Sequence, residues 1–133
     1  MEAKLVTAIR EAIRFNRELT NILADERALL GGLEGTRYAS LVSRRQGMEN
    51  RIDAVHTEVT ELLFRYAGIP GFECLRRDEI QDLLEELRGS MQETAAAVRE
   101  TAEATRCERS IVAHQLDETG KRGKQAVWAY RNA

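Results

Sequence analysis

Residues 36–66 read TRYASLVSRRQGMENRIDAVHTEVTELLFRY, and their apolar spacing decides the fold. Tyr38, Leu41, Met48, Ile52, Val55, Val59, Leu62 and Tyr66 recur in alternating steps of three and four, with Arg45 as the one polar residue in the series. That spacing keeps one stripe of a helix facing a partner helix, the pattern of a coiled coil. It predicts a helix from about Thr36 to Tyr66.

Working back from this seam, GGLEG at residues 31–35 places two glycines side by side. Each costs a helix interior about 1 kcal/mol relative to alanine. A turn or sharp bend is therefore expected, with Thr36 as a candidate N-cap. Before it, Leu5, Ile9, Ala12, Ile13, Leu19, Ile22, Leu23, Leu29 and Leu30 mark one face of a first helix from Glu2 to Leu30, interrupted on that face by Asn16 and Glu26.

Working forward, AGIPGFE at residues 67–73 combines Gly68, Pro70 and Gly71, which end a helix and make a loop. Ile69 and Phe72 are expected to tuck onto the helix ends. A third helix is expected from Arg76 or Asp78 to about Glu118, with Ile80, Leu83, Leu84, Leu87, Met91, Val98, Ile111, Val112 and Leu116 on its inner face. At about 1.5 Å per residue it spans about 60 Å, longer than either earlier helix, so part of it is expected to lack a partner. Between Thr94 and Thr105 the stripe thins to alanine and threonine. TGKRGK at residues 119–124 reads as a break, and GKQAVWAYRNA closes the chain with the single tryptophan, Trp128.

No strand-like alternation of any length occurs. The expected fold is all-α: an elongated antiparallel bundle or coiled coil of three long helices (residues 1–119), followed by a short basic, aromatic C-terminal segment (120–133). The 133 residues suit one domain, and 43 % hydrophobic with 32 % charged residues suits long helices. The net charge is −2, yet residues 120–133 hold Lys121, Arg122, Lys124 and Arg131 and no acid, so the body before them carries −6. A mildly acidic body with a short basic end points to protein contacts rather than to a nucleic-acid surface.

The start, MEAKLVTAIREAIRFN, is charged and amphipathic, unlike a secretory leader, and no stretch approaches the roughly 20 apolar residues of a membrane helix. A cytoplasmic protein is expected. Cys74 and Cys107 fit no zinc or redox spacing and read as free thiols. There is no glycine-rich phosphate loop. Asp53-Ala-Val-His56 is one near match to a metal-binding Glu-x-x-His element, with no second, and His56 and His114 read as surface residues. Neither catalysis nor a cofactor or metal is expected.

The stretch LADERALLGGLEGTRYASLVSRRQGMENRI, residues 23–52, resembles the N-terminal half of the FlgN family of flagellar export chaperones. The elements that carry the resemblance are Glu26, Leu29, Leu30, Gly32, Leu41 and Arg45. The long third helix and the tyrosine-bearing C-terminal end also match in layout. The resemblance implies a cytoplasmic chaperone that binds C-terminal helical segments of hook-filament junction (hook-associated) proteins and delivers them to the export gate, using its C-terminal region. On that reading Val98, Ala102, Ile111, Val112 and Leu116 are candidates to accept a client helix, and Val127, Trp128 and Tyr130 form a tethered aromatic anchor. In the alternative, residues 94–116 pack on the first two helices and the tail caps the bundle. A second class of reading is a structural coiled-coil or oligomeric adaptor subunit, with the seam of residues 38–66 paired between chains and Arg45 setting register.

Overall fold

A computed structural model describes residues 2–32, 34–67 and 77–131. They form three α-helices, α1 (Glu2–Leu29), α2 (Gly35–Ala67) and α3 (Arg77–Arg131), with no strand among the described residues. The expected loop contacts of Ile69 and Phe72, and Cys74, lie outside the described residues.

α1 is the central element and packs along both α2 and α3, whereas α2 and α3 touch each other only sparsely. Cross-helix pairs give the directions. Asn16 meets His56 and Glu26 meets Arg45, so α1 and α2 run antiparallel. Arg10 meets Glu79, Arg17 meets Glu86 and Arg27 meets Thr101, so α1 and α3 run parallel.

The expected seam of α2 is buried at Leu41, Met48, Ile52, Val55, Val59, Leu62 and Tyr66, within one chain. Tyr38 is half-buried. A first core cluster joins Leu5, Val6, Ala8, Ile9, Ala12 and Ile13 of α1 to Val55, Val59, Leu62 and Tyr66 of α2 and to Ile80 and Leu87 of α3. A second, smaller cluster joins Leu19, Ile22 and Leu23 to Met48, Ile52 and Ala97. α3 thus contributes large side chains to the first cluster and only an alanine to the second.

The polar interruptions of the apolar faces meet one another. Asn16 Nδ2 donates to Ala12 O at 2.8 Å and lies 3.1 Å from His56 Nε2. The Asn16 carbonyl accepts from the hydroxyls of Thr20 and Thr94, each 3.0 Å away. His56 is therefore half-buried in an interhelical polar layer, which corrects its reading as a surface residue. Glu26, 1 % exposed, accepts from Arg45 Nε at 3.0 Å, and Arg45 also reaches Glu49 at 3.6 Å. The residue that breaks the α2 seam is thus the counter-ion of the one that breaks the α1 face.

The turn after α1 is built as the glycine pair requires. Gly31 takes φ +79°, a conformation costly to side-chain-bearing residues, and Gly32 N–H donates to Leu29 O at 3.1 Å. The break expected at 119–124 does not occur: α3 is continuous through Gly120 and Gly123 to Arg131. Neither glycine is joined by a proline, and local side chains support the helix there. Thr119 Oγ1 donates to Gln115 O at 2.9 Å, and Lys121 Nζ lies 4.0 Å from Asp117.

Candidate protein-binding surface on helix three

α3 has 55 residues and α1 has 28. At about 1.5 Å per residue these are roughly 80 Å and 40 Å of helix. Because the two run parallel from nearly the same level, α3 outlasts its partner. Arg27, near the end of α1, donates to Ala97 O at 3.1 Å and to Thr101 Oγ1 at 2.8 Å. The Glu108 carboxylate lies beside Gly31 in the following turn. Past Glu108 the described side chains of α3 are exposed, apart from half-buried Glu118.

Residues 94–105 divide between the two expectations. Thr94 and Ala97 are buried and Thr101 and Thr105 half-buried on the α1 side, as in the packed alternative. Val98 and Ala102 are exposed on the wall of an open cleft of about 460 Å³ between α2 and α3. Its other wall carries Tyr38, Arg45 and Glu49, and Leu23 and Glu26 form its floor. One Glu26 oxygen, Oε2, is buried there with no hydrogen-bond partner among the described residues. A second open groove of about 460 Å³ lies further along the same α2–α3 gap, between Val59 and Leu63 on one side and Leu84, Leu87 and Met91 on the other. Both exist because α1 fills the space that α2 and α3 would otherwise share.

Beyond the bundle, Ile111, Val112, Leu116, Val127, Trp128 and Tyr130 are all exposed, Tyr130 at 87 %. Their phase is informative. Five α-helical turns take 18 residues, so buried Thr94, exposed Val112 and exposed Tyr130 lie on one line along α3. Counting about 100° per residue, Val112, Leu116, Thr119, Gly123, Val127 and Tyr130 fall within a sector of about 80°. The face that packs on α1 lower down thus continues, uncovered, to the end of the helix. Ile111 and Trp128 each lie roughly 100° or more from Val112 on this count. The continuous helix therefore separates Trp128 from Val127 and Tyr130, which sequence reading had grouped as one anchor. The α2–α3 grooves had no sequence signal, since they follow from which helix sits in the centre.

Burial pushes the His56 imidazole below its ordinary range, with Asp53 pulling it back up. Among the described residues no cluster of His, Cys, Asp or Glu could hold a metal ion, and no helix is long and apolar enough to cross a membrane. Cys107 is an exposed free thiol. The chain matches no known protein family, no characterised protein and no solved structure.

Proposed function

We propose that the protein is a cytoplasmic chaperone that holds an apolar helical segment of an export client, with the C-terminal helices of hook-associated proteins as the client class and the export gate as the destination. The observation that carries this reading is the uncovered continuation of the α3 core face through Val112, Leu116, Val127 and Tyr130. A helix laid along that face gains the burial that α1 gives the lower half, in the manner of an amphipathic helix docking on a groove. Val98 and Ala102, on the cleft wall, extend the landing surface toward the bundle. The resemblance of residues 23–52 to flagellar export chaperones selects the client class.

The test is a calorimetric titration with a synthetic C-terminal helix of a hook-filament junction protein. Micromolar binding is expected, weakened at least about tenfold by Leu116→Asp, with thermal stability unchanged. Absence of binding up to about 100 µM, where the free energy is near −5 kcal/mol, would overturn the reading.

A further inference from the structure

The α2–α3 cleft floored by Glu26 carries opposite charge at its two ends. At the floor, the carboxylates of Glu26 and Glu49 share one guanidinium, Arg45, at 3.0 and 3.6 Å. Arg45 gives Glu26 a single hydrogen bond through Nε, to Oε1. Glu26 Oε2 is buried with no donor among the described residues. A buried carboxylate oxygen without a donor is costly, and such groups are rare in folded proteins. At the other end, Arg106 and Arg109 of α3 line the cleft and are exposed. Arg106 lies 3.3 Å from exposed Glu103, and Arg109 makes no ion pair among the described residues. Leu23, Tyr38, Val98 and Ala102 form an apolar lining between the two ends.

We infer that this cleft binds a short peptide with free ends, two or three residues long, its ammonium on Glu26 and its carboxylate toward Arg106 and Arg109. An ammonium brings three donors, enough for the bare Oε2 and for the Glu49 carboxylate. Arg45 is 31 % exposed and fixed to Glu26 through one atom, so it turns aside to admit that group. The spacing sets the length. Arg27, next to Glu26, bonds Thr101, which puts the floor near that level of α3. Arg106 and Arg109 stand five and eight residues further on, about 8 and 12 Å along the axis. Side chains on a helix lean back toward its N-terminus, which shortens both distances. A single amino acid holds its two charges on one carbon and is too short. Two or three extended residues span about 7–10 Å. A simple anion would meet the arginines and leave Oε2 bare, and a simple cation would face the arginines' repulsion. The volume, about 460 Å³, is that of a small-ligand site.

This inference does not rest on the chaperone reading. Val98 and Ala102 serve both, so a client helix that reaches them competes with the peptide.

The test is a titration of the full chain with trialanine, followed by calorimetry and methyl NMR. A Kd of about 0.1–1 mM is expected, with the methyl shifts centred on Leu23, Val98 and Ala102. N-acetyl-trialanine, which lacks the ammonium, is expected to bind at least about tenfold more weakly. Trialanine amide loses only contacts at the exposed rim, and a loss of about threefold is expected. Glu26→Gln keeps the side-chain size, removes the charge and is expected to abolish binding. Ala102→Phe fills the cleft from an exposed helix position and gives the same loss, so the test does not depend on the folding of a Glu26 variant. Absence of binding up to about 10 mM overturns the inference. So does equal binding of N-acetyl-trialanine, which makes the cleft an anion site on its arginines, or binding that survives Ala102→Phe. If trialanine binds as described and the hook-protein helix does not, the peptide site stands and the chaperone reading falls.

Discussion

From Ile80 to Ala97, α3 buries Ile80, Leu87, Ser90, Thr94 and Ala97; from Arg109 to Arg131 it buries none of its described side chains. Both stretches belong to one helix and present apolar residues in one phase. The difference is the neighbour. The lower stretch lies against α1, which ends at Leu29, and the upper stretch lies beyond it. Apolar periodicity therefore records a face meant to be covered, and the length of the partner helix decides whether the chain itself covers it. The upper stretch leaves its apolar side chains exposed, and on the proposed reading a client helix would supply the missing burial.

Substitutions in the two stretches should differ accordingly. Leu87→Ala removes a side chain from the first core cluster and is expected to cost about 2–4 kcal/mol in chemical denaturation. Arg45→Ala leaves the Glu26 carboxylate buried without its counter-ion. A fully buried pair loses about 3–5 kcal/mol when broken; Arg45 is 31 % exposed, so about 2 kcal/mol is expected, and Glu26→Leu combined with Arg45→Leu should recover most of it. Gly31→Ala forces a side-chain-bearing residue into φ +79° and should cost about 1–2 kcal/mol, whereas Gly120→Ala in the upper stretch should stabilise helix by up to about 1 kcal/mol. A comparable loss from Leu116→Ala would erase the distinction; the expected change in stability is within about 0.5 kcal/mol.

The smallest effect concerns pH. His56 sits against Asn16 Nδ2, a donor, so its Nε2 must be the acceptor and the ring neutral. Burial lowers its pKa in the folded state, so the unfolded chain binds the proton more readily. The stabilising contribution is complete above the unfolded value of about 6.5 and is lost as pH falls through the folded value. Denaturation midpoints should decline from pH 7 to pH 5, and His56→Gln should flatten that decline.

Much of this arrangement was legible in the sequence, and the remainder had identifiable causes. The α2 seam and the Gly31–Gly32 turn were legible because each is decided locally, by spacing of three and four and by a required positive φ. The pairing of Arg45 with Glu26 was half legible: each residue stood out as an interruption, but their opposition depends on the register between two helices. His56 was misread because its partner, Asn16, is 40 residues away. The end of α3 was misread because Gly120 and Gly123 resemble Gly31 and Gly32 in type but differ in context. At residues 31–32 the chain must reverse, while at 120–123 nothing blocks the helix. Only with that helix continuous does the shared phase of Thr94, Val112 and Tyr130 become visible.

The most direct test of the central claim is hydrogen exchange along α3, with and without the hook-protein helix. Residues 77–105 should exchange slowly in both states, and residues 109–131 should exchange fast alone and slow on addition of the segment. Uniform slow exchange along the whole of α3 in the free chain, or fast exchange of residues 109–131 that the segment leaves unchanged, would contradict it.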